Sequence, residues 1–224
     1  MNKLSGVLTK NKFLITVSLP KNDAALAVAA EESGADAIKV HTNVVHKASG
    51  TRFGTWEEEK TAIKQIIASV KCPVGLMPGA KLTVSPEELK EAYELGIDFI
   101  DIYDFDMPAW MLRSEPAKMV ALGSDFSIER AKSLGTLGAD YIEASIVPSD
   151  FYRDPLTVRD LENYTALAAA VKQPVLVPSQ KLLKPEHVEI FKKAGVKGII
   201  LGTISIGGTP ESFREKLPRF INAR

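Results

Sequence analysis

The sequence is nearly devoid of cysteine. Cys72 is the only one in 224 residues, so an intrachain disulfide is excluded and a reducing, cytoplasmic setting is expected. Charge of one sign is also missing. Twenty-eight basic residues balance 28 acidic ones and are scattered along the chain, so neither nucleic acid nor a membrane surface is an expected partner. No apolar run approaches the roughly 20 residues of a membrane-spanning helix. Residues 1–12 hold Lys3, Lys10 and Lys12 without a continuous apolar stretch, which does not fit a signal peptide. Tight metal-ligand spacing is absent as well. Asp101, Asp104, Asp106, His41 and Glu143 are residue types that a divalent cation accepts, but no motif groups them, so no metal and no other cofactor is expected.

What remains is an ordinary globular composition, 45% hydrophobic and 25% charged. The length suits one α/β domain whose core needs no disulfide. Short apolar runs alternate with amphipathic segments throughout. The expected strands are 13–19, 36–42, 73–77, 98–104, 117–122, 140–146, 174–178 and 197–202, rich in Val, Ile and Leu as in a buried parallel sheet. The expected helices are 22–33, 55–70, 85–95, 127–137, 156–171, 184–194 and 209–222. Ser85-Pro86-Glu87 and Thr209-Pro210-Glu211 mark helix starts, and Gly34, Gly96, Gly138 and Gly195 mark helix ends. Only residues 105–116 separate strands four and five, and no clear helix fits there. Eight strands in alternation predict a (β/α)₈ TIM barrel rather than an open sheet.

An internal repeat supports this. Gly34-Ala35-Asp36 recurs as Gly138-Ala139-Asp140, and Leu76-Met77-Pro78 followed by Lys81-Leu82 recurs as Leu176-Val177-Pro178 followed by Lys181-Leu182. Pro86-Glu87 and Gly96 likewise match Pro185-Glu186 and Gly195. The chain reads as one barrel over 1–224, made of two similar half-barrels at about 12–115 and 116–224.

Strand parity assigns the inward side chains. If Ile38 and Val40 pack under helices, Lys39 and His41 face the barrel axis. The same argument turns Asp101 and Tyr103, Glu143 and Ser145, and Thr16 and Ser18 inward. The repeat then places Lys39, Asp101, Glu143 and Ile200 in one layer, with His41, Tyr103, Ser145 and Gly202 above. Charges in a barrel core must pair or meet a ligand. They form either a filler cluster or the active site expected at the strand C-termini.

The ends of strands seven and eight are the usual phosphate cradle of such barrels. Ser179, Gln180 and Lys181 follow strand seven, and Gly202, Thr203, Gly207 and Gly208 follow strand eight, so a phosphorylated small substrate is expected. The long loop 43–54 carries His46, Lys47 and Arg52 and reads as a lid over an anionic substrate or as a solvated basic loop. Met107, Pro108, Trp110 and Met111 cover the mouth, form a homodimer contact, or pack an irregular linker. Cys72 precedes a strand and reads as structural, and His187 as a surface residue.

The sequence resembles the ribulose-phosphate-binding-barrel group, and within it the N-acetylmannosamine-6-phosphate 2-epimerase family. The resemblance lies in Phe13 to Lys39, in Lys60 to Val74 with Ala62-Ile63-Lys64, and in Gly202-Thr203-Ile204. It implies a basic substrate-binding residue at Lys39 and a phosphate site at the end of strand eight. That family's proton-transfer lysine and glutamate would fall at Met77-Pro78-Gly79 and Val177-Pro178-Ser179, where this sequence has neither. Three functions therefore stand in order. The first is a sugar-phosphate isomerase or epimerase in which Glu143 or Asp101 abstracts a proton, with Lys39 or His41 stabilising the enolate or returning the proton. The second is an aldolase or lyase in which Lys39 forms a Schiff base. The third is a phosphometabolite-binding protein without catalysis. Ser18, Arg52, Tyr103 and Ser145 complete the expected substrate-binding set.

Overall fold

A computed structural model describes residues 2–224. Eight parallel strands close a barrel in sequential order. They are β1 (Leu14–Ser18), β2 (Ala37–His41), β3 (Val74–Met77), β4 (Phe99–Tyr103), β5 (Ala117–Ala121), β6 (Tyr141–Glu143), β7 (Val175–Pro178) and β8 (Gly198–Leu201), with β8 pairing back onto β1. The (β/α)₈ expectation holds. Each expected strand is present, trimmed at its ends because pairing stops before the apolar run does.

Among the described residues nine helices surround or cap the barrel: α1 (Lys3–Asn11), α2 (Ala24–Glu32), α3 (Trp56–Ser69), α4 (Pro86–Leu95), α5 (Ile128–Leu137), α6 (Val158–Ala170), α7 (His187–Lys193), α8 (Thr203–Ile206) and α9 (Pro210–Asn222). Their starts follow the sequence. Reciprocal capping boxes join Thr55 with Glu58, Ser85 with Glu88 and Thr157 with Asp160. Gly96 and Gly138 end α4 and α5 at φ of 115° and 106°, a backbone that a side chain disfavours. Between β4 and β5 there is a 3₁₀ turn over Ala109–Arg113 rather than an α-helix. Its Met111 is fully buried, and Met107 and Trp110 pack against the same core, so this apolar group fills a gap between strand and surface.

The core has two parts. Ile15, Val17, Ile38, Val40, Ile100 and Ile142 lie between strands and helices. Inside the barrel, Leu14, Ala37, Phe99, Met119, Tyr141, Leu176 and Ile200 form a second cluster. Gly75 makes room for it: a Cβ there would stand 2.2 Å from the Phe99 ring. The helix α1, which the sequence reading did not include, closes the base of the barrel with Leu4, and Tyr141 donates a 3.0 Å hydrogen bond to Asn2 Oδ1. A second unread element is the hairpin of Val44–Val45 and Arg52–Phe53, which folds the 43–54 loop over the mouth. Among the described residues no helix is long and apolar enough to cross a membrane.

Candidate active site

The parity argument places Lys39, Asp101 and Glu143 on the inner face of β2, β4 and β6, and all three are almost wholly buried. Lys39 Nζ donates to Asp101 Oδ2 at 2.7 Å and to Glu143 Oε2 at 2.9 Å. Glu143 Oε1 accepts from Ser145 Oγ at 2.9 Å, and Ser145 in turn accepts from the Tyr103 hydroxyl at 3.1 Å. The layer deduced from the sequence is thus one hydrogen-bonded unit with a chain of hydroxyls leading out of it. Asp101 Oδ1 is buried with no partner.

Charge balance decides how this unit is protonated. One ammonium faces two carboxylates in a nearly waterless layer, and an uncompensated charge there is costly. Burial, reinforced by the Glu143 charge, pushes the Asp101 carboxyl well above the usual carboxylate range, against the pull of Lys39. Burial acts on Glu143 in the same direction. There the Lys39 charge and the hydrogen bonds from Asp101, Lys39 and Ser145 win and hold it at about 2. Of the two, Asp101 is the carboxyl more inclined to hold a proton and Glu143 the more acidic. Burial alone would lower the Lys39 ammonium, but its two carboxylate partners raise it above the ordinary lysine value. Burial, then Tyr152 and Glu143, push the Tyr103 phenol up, so it stays protonated.

This unit forms the floor of a cavity of about 540 Å³ at the C-terminal ends of the strands. That volume lies in the range of small-molecule sites. Ser18, Lys39, Asp101, Tyr103, Glu143, Ser145, Ser179, Gln180 and Gly202 all line it. At the ends of β7 and β8, Ser179 Oγ accepts from the Gly202 amide at 2.8 Å, and Gln180 holds Val147, the Ser145 carbonyl and the Tyr152 hydroxyl. A Cβ on Gly202 would meet nothing closer than 3.7 Å, so open space adjoins its α-carbon. The upper wall is largely apolar, with Val44, Val45, Met77, Phe105 and Tyr152. Phe105 is stacked on Tyr103 with ring centres 4.9 Å apart.

Other residues expected at the site lie outside the cavity. His41 faces inward, with Nε2 3.2 Å from Ser18 Oγ, but the lid roofs it over: His46 and Phe53 stack on it, each with centres 4.7 Å away. Burial, then the His46 and Lys39 charges, hold the His41 imidazole far below its ordinary value, so it is neutral. Arg52 is exposed on the hairpin. Lys181 is buried beside the Phe151 ring and 3.9 Å from Asp160. Thr203, Gly207 and Gly208 do not line the cavity, and the Thr203 hydroxyl donates to the Ala48 carbonyl at 3.0 Å. Sequence reasoning missed Tyr152 and the Phe105 wall. Tyr152 sits in a loop with no strand parity to orient it. Phe105 follows β4 by two residues on the same face as Tyr103, a signal that could have been extended. Among the described residues no group of three His, Cys, Asp or Glu is placed to hold a metal ion.

No protein-family model matches the chain, and no curated protein sequence matches it significantly. Solved structures resemble it in fold. A thiamine phosphate pyrophosphorylase from Pyrococcus furiosus aligns at a TM-score of 0.67 and 20% identity, covering 96% of both chains. A 3-hexulose-6-phosphate synthase gives 0.67 and 18%, covering 94% of this chain and 99% of the other. A mutant tryptophan synthase α-subunit from Pyrococcus furiosus gives 0.70 and 16%, covering 99% and 100%. The chain shares the (β/α)₈ barrel fold of these structures.

Proposed function

We propose that this protein is an enzyme acting on a small phosphorylated metabolite, and that it moves a proton next to a carbonyl, as in the isomerisation or epimerisation of a sugar phosphate. The observation that carries the proposal is Lys39 held between Asp101 and Glu143 on the floor of the cavity. A carboxylate and a carboxylic acid side by side are a base and an acid at the same pH. In this reading Glu143 takes the proton, Asp101 supplies one, and the Lys39 ammonium stabilises the enolate oxygen. The phosphate rests at the ends of β7 and β8, beside Ser179 and Gly202. Two of the structural relatives carry a phosphorylated compound in their names, which favours this class of ligand.

The proton-transfer groups here stand on β2, β4 and β6. The epimerase-like resemblance would need them at the ends of β3 and β7, where Pro78-Gly79 and Pro178-Ser179 stand. That family's lysine-and-glutamate mechanism therefore does not carry over. A Schiff-base reaction is disfavoured because Lys39 is locked as an ammonium, and only the free amine attacks a carbonyl.

The test is incubation with a panel of sugar phosphates in deuterium oxide, followed by mass spectrometry of each compound. The expected result is an isomer, deuterated next to the carbonyl, that forms with the wild type and not with Glu143→Gln. Borohydride trapping of a substrate on Lys39 would replace this reading with the aldolase. Binding without turnover, unchanged in Glu143→Gln, would leave a binding protein.

A further inference from the structure

The tip of the lid is hydrogen-bonded to neighbouring elements through one carbonyl oxygen. The Ala48 carbonyl accepts from Thr203 Oγ1 at 3.0 Å and from Arg153 Nη2 at 2.9 Å, donors that come from the start of α8 and from the loop after β6. Thr203 follows β8 directly beyond Gly202, and Arg153 lies in the loop after β6 beside Tyr152. Both donors thus converge on one point at the edge of the cavity, next to the strand end where the phosphate is placed. Arg153 differs from the molecule's other arginines with assigned partners. Arg130, Arg214, Arg219 and Arg224 reach carboxylates, whereas Arg153 donates to a neutral carbonyl. Its backbone is also unusual, at φ 71°, in the left-handed region that a non-glycine residue occupies at a cost. The Arg153 amide donates to the Gln180 carbonyl at 2.9 Å, so this conformation is held from the end of β7.

We propose that Arg153 and Thr203 are the anion-binding pair of this site, and that a phosphate oxygen takes them over from the Ala48 carbonyl and so releases the lid. The proposal rests on the phosphate reading above. A dianionic phosphate is a stronger acceptor than a peptide carbonyl for a guanidinium fork, and it accepts from both donors at once. Lys47, next to Ala48 on the cavity wall, adds a positive charge at the same edge. Ligand entry and lid opening then become one exchange of hydrogen-bond partners, and the hairpin reports occupancy of the cavity.

Two readouts on the full chain test this, with inorganic phosphate and ribose 5-phosphate as probes. The variant is Arg153→Gly, which suits a φ of 71° and so keeps the fold. Calorimetric titration is expected to show both probes binding the wild type and binding Arg153→Gly about tenfold or more weakly, the usual loss of a charged hydrogen bond. Brief trypsin treatment with mass spectrometry reads the lid at Lys47. Cleavage is expected to rise in Arg153→Gly without probe, and in the wild type when phosphate is added. Equal binding by wild type and variant would overturn the role of Arg153 and leave the phosphate reading standing. Weakened binding with no change at Lys47 would overturn the release of the lid. No binding of either probe by the wild type would overturn the phosphate reading and this proposal together.

Discussion

Replacing Lys39 by Met removes one charge and leaves two carboxylates facing each other in the barrel. The Glu143 carboxyl stands at about 2 in the folded chain against an ordinary 4.5. At ~1.4 kcal/mol per factor of ten, that depression corresponds to about 3 kcal/mol at neutral pH. It agrees with the ~3–5 kcal/mol lost when one partner of a buried pair is removed. For a chain of this size the melting temperature should fall by roughly 6–20 °C at pH 7. The sign with pH is the sharper test. In the wild type, the depressed Glu143 contributes stability that is present above 4.5 and lost as pH falls toward 2. Asp101, raised by burial, costs stability at neutral pH and is relieved by acid. Between pH 7 and 5 the Glu143 contribution stays constant, so the wild type gains stability there from Asp101 alone, less than a variant in which both carboxyls are raised. Lys39→Met removes the depressing charge, both carboxyls rise, and both are relieved by acid. The variant should therefore become more stable as pH falls from 7 to 5, and adding Glu143→Gln should restore much of the loss. Thermal melts across pH by circular dichroism would show this. A Lys39→Met penalty that is absent, or the same at pH 7 and 5, would refute the charge balance assigned to the floor.

Three further outcomes follow from particular contacts. Gly202→Ala should fold with unchanged or slightly raised stability, since its Cβ meets only ordinary contacts, yet bind phosphate-bearing probes more weakly because the methyl enters the cavity. Gly75→Ala should cost about 1–3 kcal/mol in a denaturant titration, because its Cβ collides with the Phe99 ring. Burial, then the Lys39 charge, hold His46 at about 4, so the lid loses stability progressively from about pH 6.5 down to 4, where the unfolded hairpin takes up a proton that the folded one resists. Hydrogen exchange of the 44–53 amides should quicken across that window, and His46→Gln should flatten the dependence.

The barrel was legible because its signals are local and repeated. Val, Ile and Leu runs stand at even spacing, caps such as Ser85-Pro86 open helices, and glycines such as Gly96 close them. Strand parity then oriented Lys39, Asp101 and Glu143 correctly, and their need for partners followed from the cost of burying charge. The expected residues that do not line the cavity share a different trait. His41 and Thr203 are governed by the lid, whose position depends on contacts such as Phe53 on His41, between residues that periodicity does not relate. Lys181 lies past the end of its strand, where alternation no longer holds. The helix α1 was missed because its one fully buried residue, Leu4, gives no visible apolar stripe.

The inner cluster around Phe99 and Tyr141 bears on how such a molecule changes over generations. Polar and charged side chains occupy the upper storey of the barrel and hydrocarbon the lower, with Lys39 at the boundary between them. A substitution below alters how firmly the barrel holds together and leaves the groups lining the cavity in place. A substitution above alters the shape and charge of the cavity while the foundation stays intact. Two sets of mutations can thus accumulate on one strand, at alternate heights, with little interference. Stability gained in the lower storey becomes tolerance for trial and error in the upper one.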